Sequence, residues 1–177
     1  MLSDEFVLLQ RAVAGRYSVV DEIGRGGMGV VFAACDVALD RPAAIKLLPP
    51  ALAATEEPRR RLLREARTAA SLSHPHVVPI YAVEERDGLV FFVMALVDGE
   101  SLGQRIRRLG PMPSGEALRV VQEVAWALAH AHARGVVHRD VKPDNILLER
   151  DGDRALVTDF GIASAAGGHT PVDRVAL

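Results

Sequence analysis

The spacing of apolar and polar residues changes once along the chain and divides it into two predicted parts. Between residues 16 and 97, β-branched and aromatic residues occur in short runs separated by glycine, proline and aspartate turns, a pattern typical of strands. One segment in between has apolar residues at helical spacing, Arg59–Leu72. The first part is therefore predicted to be an antiparallel sheet with one helix, and its five strands are Tyr17–Ile23, Val30–Asp36, Ala43–Leu48, Val77–Val83 and Leu89–Met94.

From residue 98 onward the apolar residues follow helical spacing. After a linker at residues 97–99, a short basic helix is predicted over Ser101–Leu109, and a long helix runs from Ser114 as N-cap to Arg134, ended by Gly135. A second hairpin is predicted within residues 146–158. The predicted apolar stripe of the long helix comprises Leu118, Val121, Val124, Ala125, Leu128 and His132.

These patterns predict an α+β fold with two lobes. We place a leader of uncertain structure at residues 1–15, a first lobe at residues 16–97 and a second lobe at residues 98–177.

Composition narrows the class of protein without identifying a function. Hydrophobic residues make up 49% and charged residues 25% of the chain, and a net charge of −2 gives no sign of nucleic-acid or anionic-membrane binding. The longest apolar run, residues 89–97, is too short to span a bilayer, and Asp4 and Glu5 lie where a secretory signal carries basic residues. The single Cys35 excludes an internal disulfide. We therefore expect a cytoplasmic protein.

A glycine cluster, Gly24-x-Gly26-x-x-Gly29, fits two kinds of phosphate-binding turn. The dinucleotide-binding fingerprint requires a helix at the third glycine, whereas here Val30-Val31-Phe32 follows, a sequence that favours a strand. The glycines are therefore predicted at the tip of a β-hairpin, where backbone N–H groups can approach phosphate oxygens. The alternative is a plain flexible turn.

Charged residues inside apolar segments are the next candidates. Lys46 lies in a predicted strand, so it either extends its ammonium to solvent at an edge or is buried against an anionic partner. Glu65 lies in the middle of the predicted helix, and its role depends on whether Lys46 lies opposite. His74 and His76 are separated by a proline and have no further ligand nearby, which makes a metal pair a poor interpretation.

The densest group of polar residues lies in the segment from His138 to Asn145 and in Asp159-Phe160-Gly161. Asp140, Lys142, Asn145 and Asp159 supply two carboxylates, an ammonium and an amide oxygen, which are the groups that Mg²⁺-dependent phosphoryl transfer needs. The alternative is a polar surface turn, since Asp, Asn and Pro are common in turns.

Together these motifs resemble the protein kinase superfamily, and most closely the bacterial eukaryotic-like serine/threonine protein kinases. The resemblance covers about residues 16–163 and rests on five motifs in the expected order. They are the glycine hairpin with Val31, the strand lysine in Ala44-Ile45-Lys46, the helix glutamate Glu65, His138-Arg139-Asp140 with Asn145, and Asp159-Phe160-Gly161.

The resemblance implies a role for each candidate residue. Lys46, paired to Glu65, would hold the α- and β-phosphates of ATP, and Asp140 would orient the substrate hydroxyl and accept its proton. Lys142 would contact the γ-phosphate and indicates a serine or threonine acceptor, while Asn145 and Asp159 would bind Mg²⁺. The nucleotide would be surrounded by Ile23, Gly24, Arg25, Gly26, Gly27, Met28, Gly29, Val31, Ala44, Lys46, Met94, Ala95 and Val97, with Met94 as gatekeeper and the backbone of Ala95 and Val97 at the adenine.

The resemblance also implies protein substrates and possible autophosphorylation, with no nucleic acid and no membrane segment. Arg139 suggests control by phosphorylation, for which Ser164 and Thr170 are the hydroxyls available after Gly161.

The sequence departs from the family after Gly161, because it runs only to Leu177 and has no Ala-Pro-Glu motif. We therefore expect a partial second lobe, an exposed apolar patch on the long helix, and low solubility or activity of the chain alone. Two hypotheses follow: a protein kinase whose chain here is incomplete, and a non-catalytic nucleotide-binding or decoy module derived from one.

Overall fold

The computed structural model describes residues 3–50 and 56–160, and its larger sheet confirms the predicted five-stranded first lobe. The strands are β1 (Tyr17–Gly26), β2 (Gly29–Asp36), β3 (Arg41–Leu47), β4 (Ile80–Arg86) and β5 (Leu89–Ala95). They are antiparallel and lie in the order β1-β2-β3-β5-β4. The apolar β3 and β5 occupy the inner positions, where both faces of the sheet are covered.

Helices and a second, smaller sheet complete the described fold. In chain order the described helices are α1 (Asp4–Ala12), α2 (Glu56–Ala70), α3 (Leu102–Leu109) and α4 (Ser114–His132). The smaller sheet contains β6 (Gly99–Ser101), β7 (Ile146–Glu149) and β8 (Ala155–Val157), in the order β6-β7-β8. Within the described residues, no helix is both long and apolar enough to cross a bilayer.

The first residues of the chain are an integral part of the first lobe, so their interpretation as a leader of uncertain structure is wrong. Helix α1 begins at its N-cap Ser3, whose hydroxyl accepts a hydrogen bond from Phe6 N, and it packs on the larger sheet. Leu9 and Val13 are 0% and 1% exposed. The sequence pattern was too short for helical periodicity to identify this packed face.

Two predicted boundaries shift in the structure. Gly99 belongs to β6 and pairs with Glu149 instead of lying in the linker, and a Cβ atom there would lie 1.9 Å from Leu148 O. The predicted N-cap Ser114 is the first residue of α4, whose N-cap is Pro113 without a side-chain hydrogen bond. The end of α4 agrees with the prediction, because Gly135 adopts φ +74° just after it.

Helix α4 turns only part of the predicted stripe to the core, with Val124 buried and Leu128 packed against it. Val120, Val124, Ala127 and Ala131 are buried, whereas the predicted Leu118 and Val121 are 60% and 63% exposed. The helix is apolar over more than one face, so periodicity could not select the buried side. Trp126 is also 57% exposed, and α4 therefore carries the exposed apolar side chains that we expected.

The two lobes are joined behind the cleft by backbone hydrogen bonds. Val78 N donates to Val157 O at 3.0 Å, and Val157 N donates to His76 O at 2.9 Å. The ring of His76 contributes a further bond through Nδ1 to Ala155 O at 2.9 Å. The segment before β4 thus fixes β8, and with it the residues that follow β8, against the first lobe.

We predict that Leu9→Ala lowers the free energy of unfolding by about 2–5 kcal/mol, because it removes a fully buried side chain between α1 and the sheet. Leu8→Ala is the matched control. Leu8 is on the same helix but half exposed, so its loss should change stability by no more than about 0.5 kcal/mol. Urea denaturation of the three proteins measures the difference, and equal stabilities would contradict the packing of α1.

Candidate active site

The glycine cluster lies at the tip of the β1–β2 hairpin, as predicted. Arg25 pairs with Val30 and Gly26 with Gly29, so the turn is formed by Gly27 and Met28. Gly29 is required by the fold, because it adopts φ +117° and a Cβ atom would lie 2.0 Å from Leu47 O. At Gly26 and Gly27, by contrast, a Cβ atom would meet nothing within 4 Å. Packing of the protein therefore does not account for glycine at these two positions.

Lys46 is buried and points toward the second lobe. It lies on β3 between Val31 of β2 and Phe92 of β5, and it is 5% exposed. Its ammonium contacts Asp159 Oδ2 at 2.7 Å. This geometry decides between the two alternatives for Lys46 in favour of a buried cation with an anionic partner.

The described ion pairs place Lys46 against Asp159 and do not include the predicted pair between Lys46 and Glu65. Glu65 Oε1 lies 2.9 Å from Nε of Arg61, one turn earlier on α2. Glu65 Oε2 lies 4.0 Å from Nη1 of Arg139. Asp159 reaches the Lys46 ammonium from the end of β8 and takes the position predicted for Glu65. Glu65 as a site residue stays a prediction.

His138 connects its own loop, residues 138–145, to the segment that carries Asp159. The sequence did not indicate this role. Its Nδ1 accepts a hydrogen bond from Asp140 N at 3.2 Å, so the proton lies on Nε2, which donates to Thr158 O at 2.8 Å. The residue is 1% exposed, and its ring packs edge-on against the Phe160 ring with the two centroids 4.7 Å apart. One imidazole thus sets the distance between the residues preceding Asp159 and the backbone of Asp140.

Asp140, Lys142 and Asn145 form one hydrogen-bonded cluster. Lys142 Nζ donates to Asp140 Oδ2 at 2.7 Å, and Asn145 Nδ2 donates to Asp140 Oδ2 at 3.0 Å and to Asp140 O at 2.8 Å. The hydrogen bond from Lys142 lowers the pKa of Asp140, and Asn145 adds to this effect. Asp140 is therefore a carboxylate at neutral pH. The pKa of Lys142 is raised, first by Asp140 and further by the charges of Asp144 and Asp159.

The backbone at both halves of the site has a sparsely populated conformation. Arg139 has φ +65° and Asp159 has φ +66°, although neither is glycine. Such residues persist only where the surrounding structure holds them, and they are concentrated at functional sites. Here the two hydrogen bonds of the His138 ring hold the backbone, one at Asp140 next to Arg139 and one at Thr158 next to Asp159.

The predicted gatekeeper lies between the two lobes. Met94 is 6% exposed and pairs with Ala44 of β3 and Ile80 of β4. The next residue, Ala95, donates its backbone N–H to Pro79 O at 3.0 Å. Ile23, predicted to cover the nucleotide from above, is half exposed.

The oxygen atoms at the site fit Mg²⁺ better than a metal held entirely by protein. Asp159 supplies carboxylate oxygens, and Asn145 makes its side-chain hydrogen bonds through Nδ2, which leaves Oδ1 as the ligand atom. No group of three or more His, Cys, Asp or Glu side chains in the described part of the chain could hold a metal ion. Mg²⁺ needs no such cage, since it is held by one or two carboxylates together with waters and substrate phosphates.

Comparison with known proteins identifies the family. The model of the protein kinase domain matches residues 17–176. The chain belongs to the protein kinase family. This confirms the predicted fold class, the two-lobe kinase fold with a five-stranded antiparallel sheet in the first lobe.

The relatives of this kinase chain include named bacterial enzymes. It is 43% identical over 164 residues to serine/threonine-protein kinase PrkC of Bacillus subtilis, covering 93% of this chain and 25% of PrkC. It is 46% identical over 151 residues to serine/threonine-protein kinase PknE of Mycobacterium tuberculosis, covering 85% of this chain and 26% of PknE. The chain therefore spans about a quarter of the length of these curated relatives.

Solved structures agree with this assignment. The crystal structure of the Mycobacterium tuberculosis PknI kinase domain superposes with a TM-score of 0.77 at 41% identity, over 85% of this chain and 60% of that one. The resemblance to bacterial eukaryotic-like serine/threonine kinases is confirmed.

Ser164 and Thr170, the candidate phosphorylation sites, lie outside the described residues.

We predict that Gly29→Ala lowers stability by roughly 1–3 kcal/mol or more, because it places a Cβ atom against a backbone oxygen at positive φ. Gly27→Ala is the matched control in the same turn and should change stability by less than about 0.5 kcal/mol. Thermal unfolding checks both. A Gly29→Ala protein as stable as the parent would show that β2 and β3 are further apart than described.

We also predict that Lys142→Met raises the pKa of Asp140, because the hydrogen bond and charge that hold the carboxylate in its ionised form are lost. The Asp140 carboxyl would then take up its proton at a higher pH than in the parent protein. Carbon-detected NMR titration of the aspartate carboxyl groups measures the shift. Lys142→Arg retains the cation and should keep the pKa low, and an unchanged pKa in Lys142→Met would contradict the contact.

Proposed function

We propose that this chain carries the nucleotide- and phosphate-handling part of a protein serine/threonine kinase, which transfers the γ-phosphate of ATP to serine or threonine hydroxyls of proteins. The observation that carries the proposal is the cluster of Asp140, Lys142 and Asn145 beside Asp159 and Lys46. Thr158 N donates to Asn145 O at 3.0 Å, which brings Asp159 beside this cluster, and Asp159 contacts Lys46 at 2.7 Å. Two carboxylates, two ammonium groups and an amide oxygen thus lie together where the two lobes meet.

In the proposed site, the first lobe holds the nucleotide. The hairpin tip between Gly24 and Gly29 covers the phosphates with backbone N–H groups, and Lys46 offers its charge to the α- and β-phosphates. Ile23, Val31, Ala44 and Met94 line the adenine pocket, with the carbonyl oxygen of Ala95 and the backbone of Val97 at the base. Open space at Gly26 and Gly27 supports this arrangement, since glycine there serves no packing need of the protein.

The second lobe handles the transferred group. Bound Mg²⁺ would neutralise charge on the phosphates, and Asn145 and Asp159 are the residues to hold it. Asp140, ionised at neutral pH, orients the acceptor hydroxyl and accepts its proton. Lys142 places its ammonium beside Asp140, where it stabilises charge on the phosphate being transferred.

Several finer assignments belong to the same proposal. Protein substrates and autophosphorylation follow from the kinase family, and Lys142 favours a serine or threonine acceptor. A cytoplasmic location is consistent with a single cysteine, Cys35, and with the use of ATP. We place the boundary between the lobes near residue 98 and include α1 in the first lobe.

A carboxylate pair in the same loop tests the proposal. Asp140→Asn should lower phosphorylation of a serine-containing basic protein by roughly 10²–10⁴-fold, because the hydroxyl loses its proton acceptor. Asp144→Asn is the matched control, since Asp144 lies on the surface and pairs with Arg107. It should retain activity. Incorporation of labelled phosphate from ATP and Mg²⁺ gives the measurement.

Nucleotide binding separates the two hypotheses for the function. The full chain should bind ATP with Mg²⁺, and Asp159→Asn should remove the Mg²⁺-dependent part of the affinity. Phosphorylation by the parent protein in addition to binding would favour the kinase over the non-catalytic nucleotide-binding module. Absence of both binding and phosphorylation would overturn the proposed function of this chain.

A further inference from the structure

Arg25 connects the glycine hairpin to the N-terminal helix. It lies between Gly24 and Gly26, and its side chain reaches Glu5 of α1. Its Nη1 donates to Glu5 Oε1 of α1 at 2.9 Å, while Nε and Nη2 donate to the two carboxylate oxygens of Glu22 at 2.8 and 2.7 Å. The guanidinium thus ties the hairpin tip to its own strand and to a second element.

The helix end of this connection is firmly held. Gln10 of α1 accepts a hydrogen bond from Val19 N at 2.8 Å, and Arg86 of β4 donates to Ala12 O at 3.1 Å. The Phe6 ring packs edge-on against the ring of Phe32 in β2, with the two centroids 5.9 Å apart. Since α1 is attached to β1, β2 and β4, the position of Glu5 is set by the body of the lobe and not by the hairpin.

The hairpin end needs such support. β1 is the edge strand of the sheet, and its pairing with β2 shifts register between Val19 and Asp21 and again between Glu22 and Gly24. Bulges of this kind weaken the ladder and twist the strand. Val30 and Val31 of β2 pair with Leu47 and Lys46 of β3, so at the tip β1 is held on one side only, by β2.

We propose that Glu5 and Arg25 are positioning residues that hold the glycine hairpin over the nucleotide phosphates, so that α1 acts as a support for the ATP site. The inference rests on the proposed function. The family match begins at residue 17, so α1 lies outside the matched residues.

The charges agree with this arrangement. The hydrogen bond from Arg25 lowers the pKa of both Glu5 and Glu22, and the two carboxylates raise the pKa of Arg25. All three groups are solvent-exposed, so salt should weaken the contact. The effect of the pair should therefore be largest at low ionic strength.

Nucleotide affinity of the full chain is the first test. Glu5→Gln keeps the size of the side chain and removes its charge, and at low salt we expect the Kd for ATP with Mg²⁺ to rise about two- to five-fold, in line with the modest effect of exposed ion pairs. Glu5→Lys, which repels Arg25, should raise it further. Where phosphorylation is measured, the KM for ATP should rise by the same factor with kcat unchanged.

Asp4→Asn is the matched control, because Asp4 shares the first turn of α1 with Glu5 and loses the same interaction with the helix dipole. It should leave the Kd within about 1.5-fold of the parent, a difference smaller than that of a weak exposed ion pair. In an Arg25→Ala background, Glu5→Gln should have no further effect. An equal Kd for Glu5→Gln and Asp4→Asn, or a persisting effect without Arg25, would overturn the proposal.

Amide hydrogen exchange of the nucleotide-free protein makes the outcome independent of the proposed function. Glu5→Gln should speed exchange at the amides of residues 24–29 relative to Asp4→Asn, while exchange in β3 and β5 stays the same. If Glu5→Gln speeds exchange but the parent protein binds no ATP, α1 supports the hairpin and the proposed function is wrong. If exchange is unchanged and the parent protein binds ATP, only the support by α1 is wrong.

Discussion

The ion pair between Lys46 and Asp159 is the constraint on which the site depends. Each lobe supplies one charge, and the two meet at 2.7 Å with side chains 6% and 16% exposed. Removing such ions from water costs several kcal/mol for each, which their attraction offsets only when the geometry is held closely. The pair is therefore better understood as a feature kept for phosphate handling than as a source of stability. The bonds of Val157 to the segment before β4 hold the geometry from behind.

The loop at residues 138–145 is organised by a side chain that takes no part in the proposed chemistry. His138 is fully buried and binds the backbone on both sides of the site, at Asp140 and at Thr158. The φ values of Arg139 and Asp159 show that the chain is bent into an unfavourable conformation next to both contacts. Strain of this kind fixes side chains to one arrangement, which suits a site that must align a hydroxyl with a phosphate.

The sequence predicted what local patterns and motif spacing determine, and it failed where long-range packing decides. The strands, the glycine hairpin and the loop around Asp140 were predicted because turn residues and β-branched runs define them locally. The Lys46 partner could not be predicted, since Glu65 and Asp159 are both carboxylates and only the placement of α2 selects between them. The buried face of α4 was predicted only in part, because the helix is apolar on adjacent faces. Helix α1 was missed because so short a segment gains its helical structure from packing on the sheet.

The position of α1 also changes the surface that the first lobe offers to other molecules. Its buried side chains cover the face of the sheet opposite α2, where Phe32, Ile45 and Phe91 are 0% exposed. A molecule approaching this side meets the outer side of the helix, including the half-exposed Leu8, and not the strands. Partner recognition on this side of the lobe would therefore depend on side chains of α1 and not on those of the strands.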